Sequence, residues 1–201
     1  MEERKILIAD PTALGLFGLA MVTLVASSSK LGLTGGTSLV IPWAIFLGAA
    51  AQLVASLADA KKNNVFGATA FGAYAFFWFA MGMSWMIQGG VFGAKLAEAA
   101  DSKQLAVAFM GYLIFTLYMT LAASQTTKVL FVIFVLIDFL FLGLALTGFG
   151  IAPEFSHQLA GWSELGISLL SFYGSAGAVL NHHLNRVILP LGKPLNLIAK
   201  G

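Results

Sequence analysis

The chain has 201 residues, of which 59% are hydrophobic and only 10% charged, with no cysteine and a formal net charge of +2. A soluble domain carries about 25% charged residues, so this composition points to a membrane protein. The absence of cysteine excludes disulfides, thiolate metal sites and a thiol nucleophile, and without a basic stripe to neutralise phosphates nucleic acid is excluded as a partner.

The N-terminal segment MEERKILIAD mixes both charge signs, unlike a signal peptide, so the first apolar helix is expected to be a retained span. Six segments are long enough to cross a bilayer: Pro11–Ser29, Thr37–Ala58, Phe66–Gln88, Leu105–Ser124, Val129–Gly148 and Leu159–Asn181. Short polar connections join them, and Val91–Lys103 is long enough for a short surface helix. The expected fold is therefore an all-α integral membrane bundle of six transmembrane helices, one domain over residues 1–201. Residues 1–10 form an N-terminal tail and residues 182–201 a C-terminal one.

Lysine and arginine set the orientation. Arg4, Lys5, Lys61, Lys62, Lys128, Arg186, Lys193 and Lys200 fall on one face, and only Lys30, Lys95 and Lys103 on the other. Both termini are expected in the cytoplasm. Trp85 and Trp162 then fall at the outer interface as anchors, with Trp43 somewhat deeper. Dense small residues such as Gly15, Gly18, Gly48 and Gly174 fit close helix packing, because lipid supplies no hydrophobic drive for helices to associate.

Asp138 interrupts the apolar run Val129–Leu146 at its middle. An ionised carboxylate there costs about 2.5–3.5 kcal/mol even on gentle insertion scales. Its neighbours one turn away, Phe134, Val135, Phe141 and Leu142, supply no hydrogen-bond partner. Three readings follow. Asp138 is a protonated acid that couples proton movement to a substrate carboxylate, or an ionised group favouring a neutral or cationic solute, or a hydrogen-bond partner for another helix. Glu164 is a second acidic residue inside a span. At the start of the first helix, Asp10 followed by Pro11 reads as a cap and a first-turn residue with no N–H to lose. His182 and His183 are adjacent and point to different faces, so they make no chelate with each other or with His157. No metal, no cofactor and no enzymatic constellation is expected.

The segment DPTALGL, Asp10 to Leu16, is similar to the NPAPLGL signature of the acetate uptake transporter family, the succinate–acetate permeases of bacteria and their fungal relatives. Phe66, Gly67, Thr69, Phe71, Tyr74, Phe77 and Trp78 match the head of that family's third helix. Tyr173, Asn181, Arg186, Leu189, Pro190 and Gly192 match its tail, and Gln52 stands where its second helix has a glutamine.

The resemblance implies six-helix protomers assembled as a homohexamer in the cytoplasmic (inner) membrane, each with a narrow path for small monocarboxylates. Acetate is the expected substrate, with succinate or lactate as further candidates and transport coupled to protons or pH. It also implies a hydrophobic constriction, which falls here on Leu19, Tyr74 and Ile137. Asp10, Gln52, Thr69, Phe71, Ser171 and Tyr173 are the substrate-binding candidates, and Asp138 the proton-coupling candidate. Asp10 replaces the signature's Asn, and Thr12 and Ala13 replace its Ala-Pro. With the added Asp138 and Glu164, these departures favour as an alternative a relative that passes a neutral or cationic solute. A non-transport membrane scaffold is the remaining rival.

Overall fold

The computed structural model describes residues 8–197, all of whose regular structure is helical. Arg4, Lys5 and Lys200 of the charge count, most of the expected N-terminal tail and the last four residues lie outside the described residues. The helices are α1 (Thr12–Lys30), α2 (Val40–Lys61), α3 (Val65–Gln88), α4 (Ala94–Glu98), α5 (Ser102–Ala123), α6 (Lys128–Gly148) and α7 (Pro153–His183).

Local chemistry sets their ends. The Asn64 side chain accepts from the Gly67 amide at 3.2 Å to start α3, and Thr127 does the same for Leu130 at the start of α6, also at 3.2 Å. Asp101 accepts from the Lys103 amide at 2.9 Å ahead of α5. These side chains satisfy amides that have no partner inside the helix. Asp10 acts one residue further out than expected. Pro11 occupies the cap position while the Asp10 carboxylate takes both the amide and the hydroxyl of Thr12, at 3.1 and 2.8 Å.

Two boundaries differ from the sequence reading. α7 begins at Pro153 rather than Leu159, because Ala152 turns the chain with φ 44° and Pro153 then opens the helix with its fixed φ. α2 continues past Ala58 to Lys61, which carries Asp59 into the bundle, buried, instead of leaving it in a loop. The expected surface helix is present as the short α4.

Five helices, α1, α2, α3, α5 and α6, are long and apolar enough to cross a membrane. α7 is the longest at 31 residues. Its first half carries Glu154, His157 and Glu164, which lowers its hydropathy below theirs. Packed pairs run α5–α6, α6–α7, α7–α1, α1–α2 and α2–α3. Aromatic contacts close the circuit between α3 and α5, with Tyr74 and Tyr112 rings stacked at 6.4 Å and Phe77 and Phe109 at 6.2 Å. A single buried apolar cluster fills the middle.

Close approach depends on glycine at two places. A Cβ on Gly18 would strike the Leu47 carbonyl of α2, and one on Gly143 would lie 2.7 Å from the Ser156 carbonyl of α7. Here backbones meet directly, as small-residue interfaces allow. In α2 the turns widen to π geometry over Ala44–Ala51, just before Gln52. Large apolar side chains such as Phe46, Phe76, Val107, Ile114 and Leu121 cover the outside. Trp162 and Trp43 also lie exposed there, whereas Trp85 is half-buried.

The residues after α7 fold back over one end. Asn181 accepts from the amides of Ile188 and Leu189 and donates to the Leu189 carbonyl at 2.8 Å. Tyr173 donates to the Pro190 carbonyl at 3.0 Å, and the Leu195 amide bonds Ser124. The C-terminal tail is thus a strap laced to the α5–α6 turn and to α7.

Candidate functional site

Two cavities enter the bundle from opposite ends. The first, about 490 Å³, has a polar rim that includes Asp10, Asp59, Asn64, Asn181 and His182. Its floor is apolar, formed by Leu16, Phe71, Leu130 and Phe134, with Leu191 of the strap alongside. The second, about 300 Å³, carries Ser29, Lys30, Thr37, His157 and Glu164 over an aromatic wall of Phe77, Trp78, Trp85 and Phe109. Trp85, expected as an interfacial anchor, instead belongs to this wall.

The three predicted constriction residues line neither cavity and fall between them. On α1, Leu16 belongs to the first cavity and Ala26 to the second, with Leu19 between. On α3 the pair is Phe71 and Phe77, with Tyr74 between; on α6 it is Phe134 and Leu140, with Ile137 between. All three are buried and belong to the same apolar cluster.

Tyr74 is held firmly. Its ring packs among those of Phe115, Phe134 and Phe141, with centroids 5.6, 6.0 and 6.4 Å away. Its hydroxyl lies 3.0 Å from the Thr116 hydroxyl of α5. Thr116 itself donates to the Tyr112 carbonyl at 2.7 Å, so the Tyr74 O–H is the donor of the pair.

Ser171 and Gln52 keep unused hydrogen-bonding capacity. Ser168, Ser171 and Ser175 share one face of α7, by the three- and four-residue spacing of a helix. The outer two donate to α1 carbonyls, Ser168 to Ala20 at 2.8 Å and Ser175 to Ala13 at 2.7 Å. The Ser171 hydroxyl between them is fully buried and has no partner. Gln52, also fully buried, donates to the Gly48 carbonyl at 2.7 Å, while its Oε1 has no partner. A buried polar atom left unpaired costs about 1–3 kcal/mol, so both atoms are candidates for a ligand contact.

The other candidates disperse. Phe71 and Asp10 line the first cavity, whereas Thr69 is exposed and borders neither cavity. Tyr173 serves the strap. Asp138 also borders neither cavity; its Oδ2 accepts from the Thr120 hydroxyl of α5 at 2.8 Å, while its Oδ1 is buried without a partner. The Thr120 bond is a contact the third reading requires, and the unpaired Oδ1 is the capacity the first requires.

Two charged groups carry weight that the sequence did not assign. Asp59 is 1% exposed on the first cavity; Asn64 donates to its Oδ1 at 3.0 Å and Oδ2 is packed over the Gly67 backbone. Glu164, 2% exposed, forms an ion pair with Lys30 at 2.8 Å. Opposite charges on two spans, both near the same end of the bundle, were the available signal for that pair.

Residues 1–193 match the GPR1/FUN34/yaaH family. The chain is 31% identical to the succinate-acetate/proton symporter SatP of Escherichia coli, over 92% of this chain and 96% of that protein. It is 32% identical to acetate permease A of Emericella nidulans, over 71% of this chain and 49% of the permease. A third relative, ammonia transport outward protein 2 of Saccharomyces cerevisiae, is 29% identical over 94% of this chain. Among solved structures, that of the bacterial acetate channel SatP superposes with a TM-score of 0.85 at 31% identity, covering 92% of this chain and all of the other.

Proposed function

The chain belongs to the GPR1/FUN34/yaaH family, whose members are transport proteins rather than enzymes, and on that footing we propose that it carries small monocarboxylic acids, acetate first, across the cytoplasmic membrane. The observation that carries this reading is the pair of opposed cavities ending on one apolar layer that contains Leu19, Tyr74 and Ile137. Such a layer excludes ions by dewetting while a small, partly desolvated acid can cross.

Crossing as the neutral acid suits the unpaired atoms of Gln52 and Ser171. The Gln52 Oε1 can accept the acid O–H, and the Ser171 hydroxyl can donate to its carbonyl. The proton then moves with the substrate, and Asp138 has the structural task of joining α5 to α6. In this reading all six long helices span the membrane and the Asp10 end faces the cytoplasm, following the lysine and arginine distribution. The assembly is the homohexamer that the family resemblance implies, with exposed apolar faces meeting lipid and neighbouring protomers.

The test is uptake of labelled acetate into proteoliposomes with and without an imposed pH gradient. Accumulation driven by external acid supports the reading; no uptake above empty vesicles ends it. The carboxylates Asp10 and Asp59 in the first cavity, together with the ammonia-transport relative, favour a second reading, passage of a small neutral or cationic solute. Methylammonium uptake that acetate does not inhibit would support it.

A further inference from the structure

The reading above leaves the Lys30–Glu164 pair without a task, although it dominates the charge of the second cavity. Lys30 closes α1 and Glu164 lies on α7, and their 2.8 Å contact joins the two helices on the lining of this cavity. The pair is unequal: the lysine side chain keeps 19% of its surface accessible, while the glutamate keeps 2%. His157 lies against the Lys30 carbonyl, 3.1 Å from Nε2. Lys30 and Glu164 are the cavity's only lysine and only carboxylate among the described residues.

We propose that this pair is a charge filter, which admits singly charged carboxylates to the path and disfavours doubly charged ones. The inference rests on the transport reading above. An ammonium has three donors, and Glu164 engages one through Oε2, so the accessible side of Lys30 can bind an entering carboxylate. With Glu164 in place the site is neutral overall. A monoanion meets one attractive charge at contact and one repulsive charge behind it. A dianion brings its second carboxylate into the same narrow cavity, where no second lysine or arginine exists to receive it and Glu164 repels it. Confinement between apolar walls strengthens that repulsion relative to water. The glutamate thus acts on specificity while the lysine acts on capture.

The experiment compares labelled acetate and succinate uptake into proteoliposomes at neutral pH, where acetate carries one charge and succinate two. Glu164→Gln should raise the succinate-to-acetate uptake ratio by about tenfold, since it removes a full charge at short range. Lys30→Gln should reduce the apparent affinity for both. Wild-type protein that takes up acetate while Glu164→Gln leaves the ratio unchanged overturns the filter alone. Wild-type protein that takes up no acetate overturns the transport reading itself. A pair that merely staples α1 to α7 would lower both rates together and leave the ratio where it was. If Glu164→Gln does not fold, Glu164→Met, which buries no polar group, carries the same measurement. If neither folds, the pair is a staple and the filter is rejected.

Discussion

The Thr120 hydroxyl on α5 donates to Oδ2 of Asp138 on α6 across 2.8 Å. This contact ties the most conspicuous charge in the apolar sequence to a neighbouring helix. Thr120→Val should therefore destabilise the protein by about 1 kcal/mol, the loss of one half-buried hydrogen bond. Asp138→Asn, which retains an acceptor oxygen, should fold and keep the pH profile of acetate uptake. Loss of that profile in Asp138→Asn would restore the coupling role to this residue. Detergent melting curves and proteoliposome flux measure the two effects.

Tyr74 offers a contrast between two substitutions. Tyr74→Phe keeps the ring among its aromatic neighbours and loses only the bond to Thr116, a loss of about 1 kcal/mol. Its flux should stay near wild type. Tyr74→Ala removes the ring, should lower stability by about 3–5 kcal/mol, and should speed uptake or admit lactate. A fold-competent Tyr74→Ala protein with unchanged flux and selectivity would remove Tyr74 from the barrier.

Ser171 should separate stability from transport in opposite directions. Its hydroxyl is buried without a partner, so Ser171→Ala should leave the melting temperature equal or higher. Acetate uptake should nevertheless fall several-fold. Equal uptake would mean that the hydroxyl never meets the substrate. Gln52→Leu, which removes the unpaired Oε1, should behave alike in flux.

Orientation is open to a direct chemical assay because the chain has no native cysteine. Lys62 and Lys128 are both exposed. Cysteine placed at either should react with an impermeant maleimide only when the cytoplasmic face is accessible. Labelling of both from outside intact cells would invert the proposed topology.

The all-helical architecture and most helix boundaries were legible in the sequence because the apolar runs are long and their caps are local. Asn64, Asp101 and Thr127 each act within three residues. The errors arose where a boundary depended on distant packing. Asp59 reads as a loop residue until Asn64 and Gly67 are folded against it. Leu19, Tyr74 and Ile137, singled out by resemblance, are buried in one apolar cluster and line neither cavity. The π-helical turns of α2 left no mark in AIFLGAAA, which suits an ordinary helix equally well. Nor did the run around Asp138 identify Thr120, because a partner on another helix is fixed by rotation about both axes.

The firm seating of Tyr74 has an electrical side. Its hydroxyl points sideways to Thr116, and Ser168 in the same interval is bonded to α1. Leu19, Val22, Ile137 and Ile167 complete the layer and carry no polar side-chain atoms. In a protein that passes acids as proposed above, the Tyr74 and Ser168 hydroxyls are committed to Thr116 and the Ala20 carbonyl, which leaves Ser171 and Gln52 for an acid that brings its own proton. An elementary charge crossing a potential of 100 mV represents about 2.3 kcal/mol. An apolar layer of this kind would let a cell take up acetate while the membrane still holds its voltage.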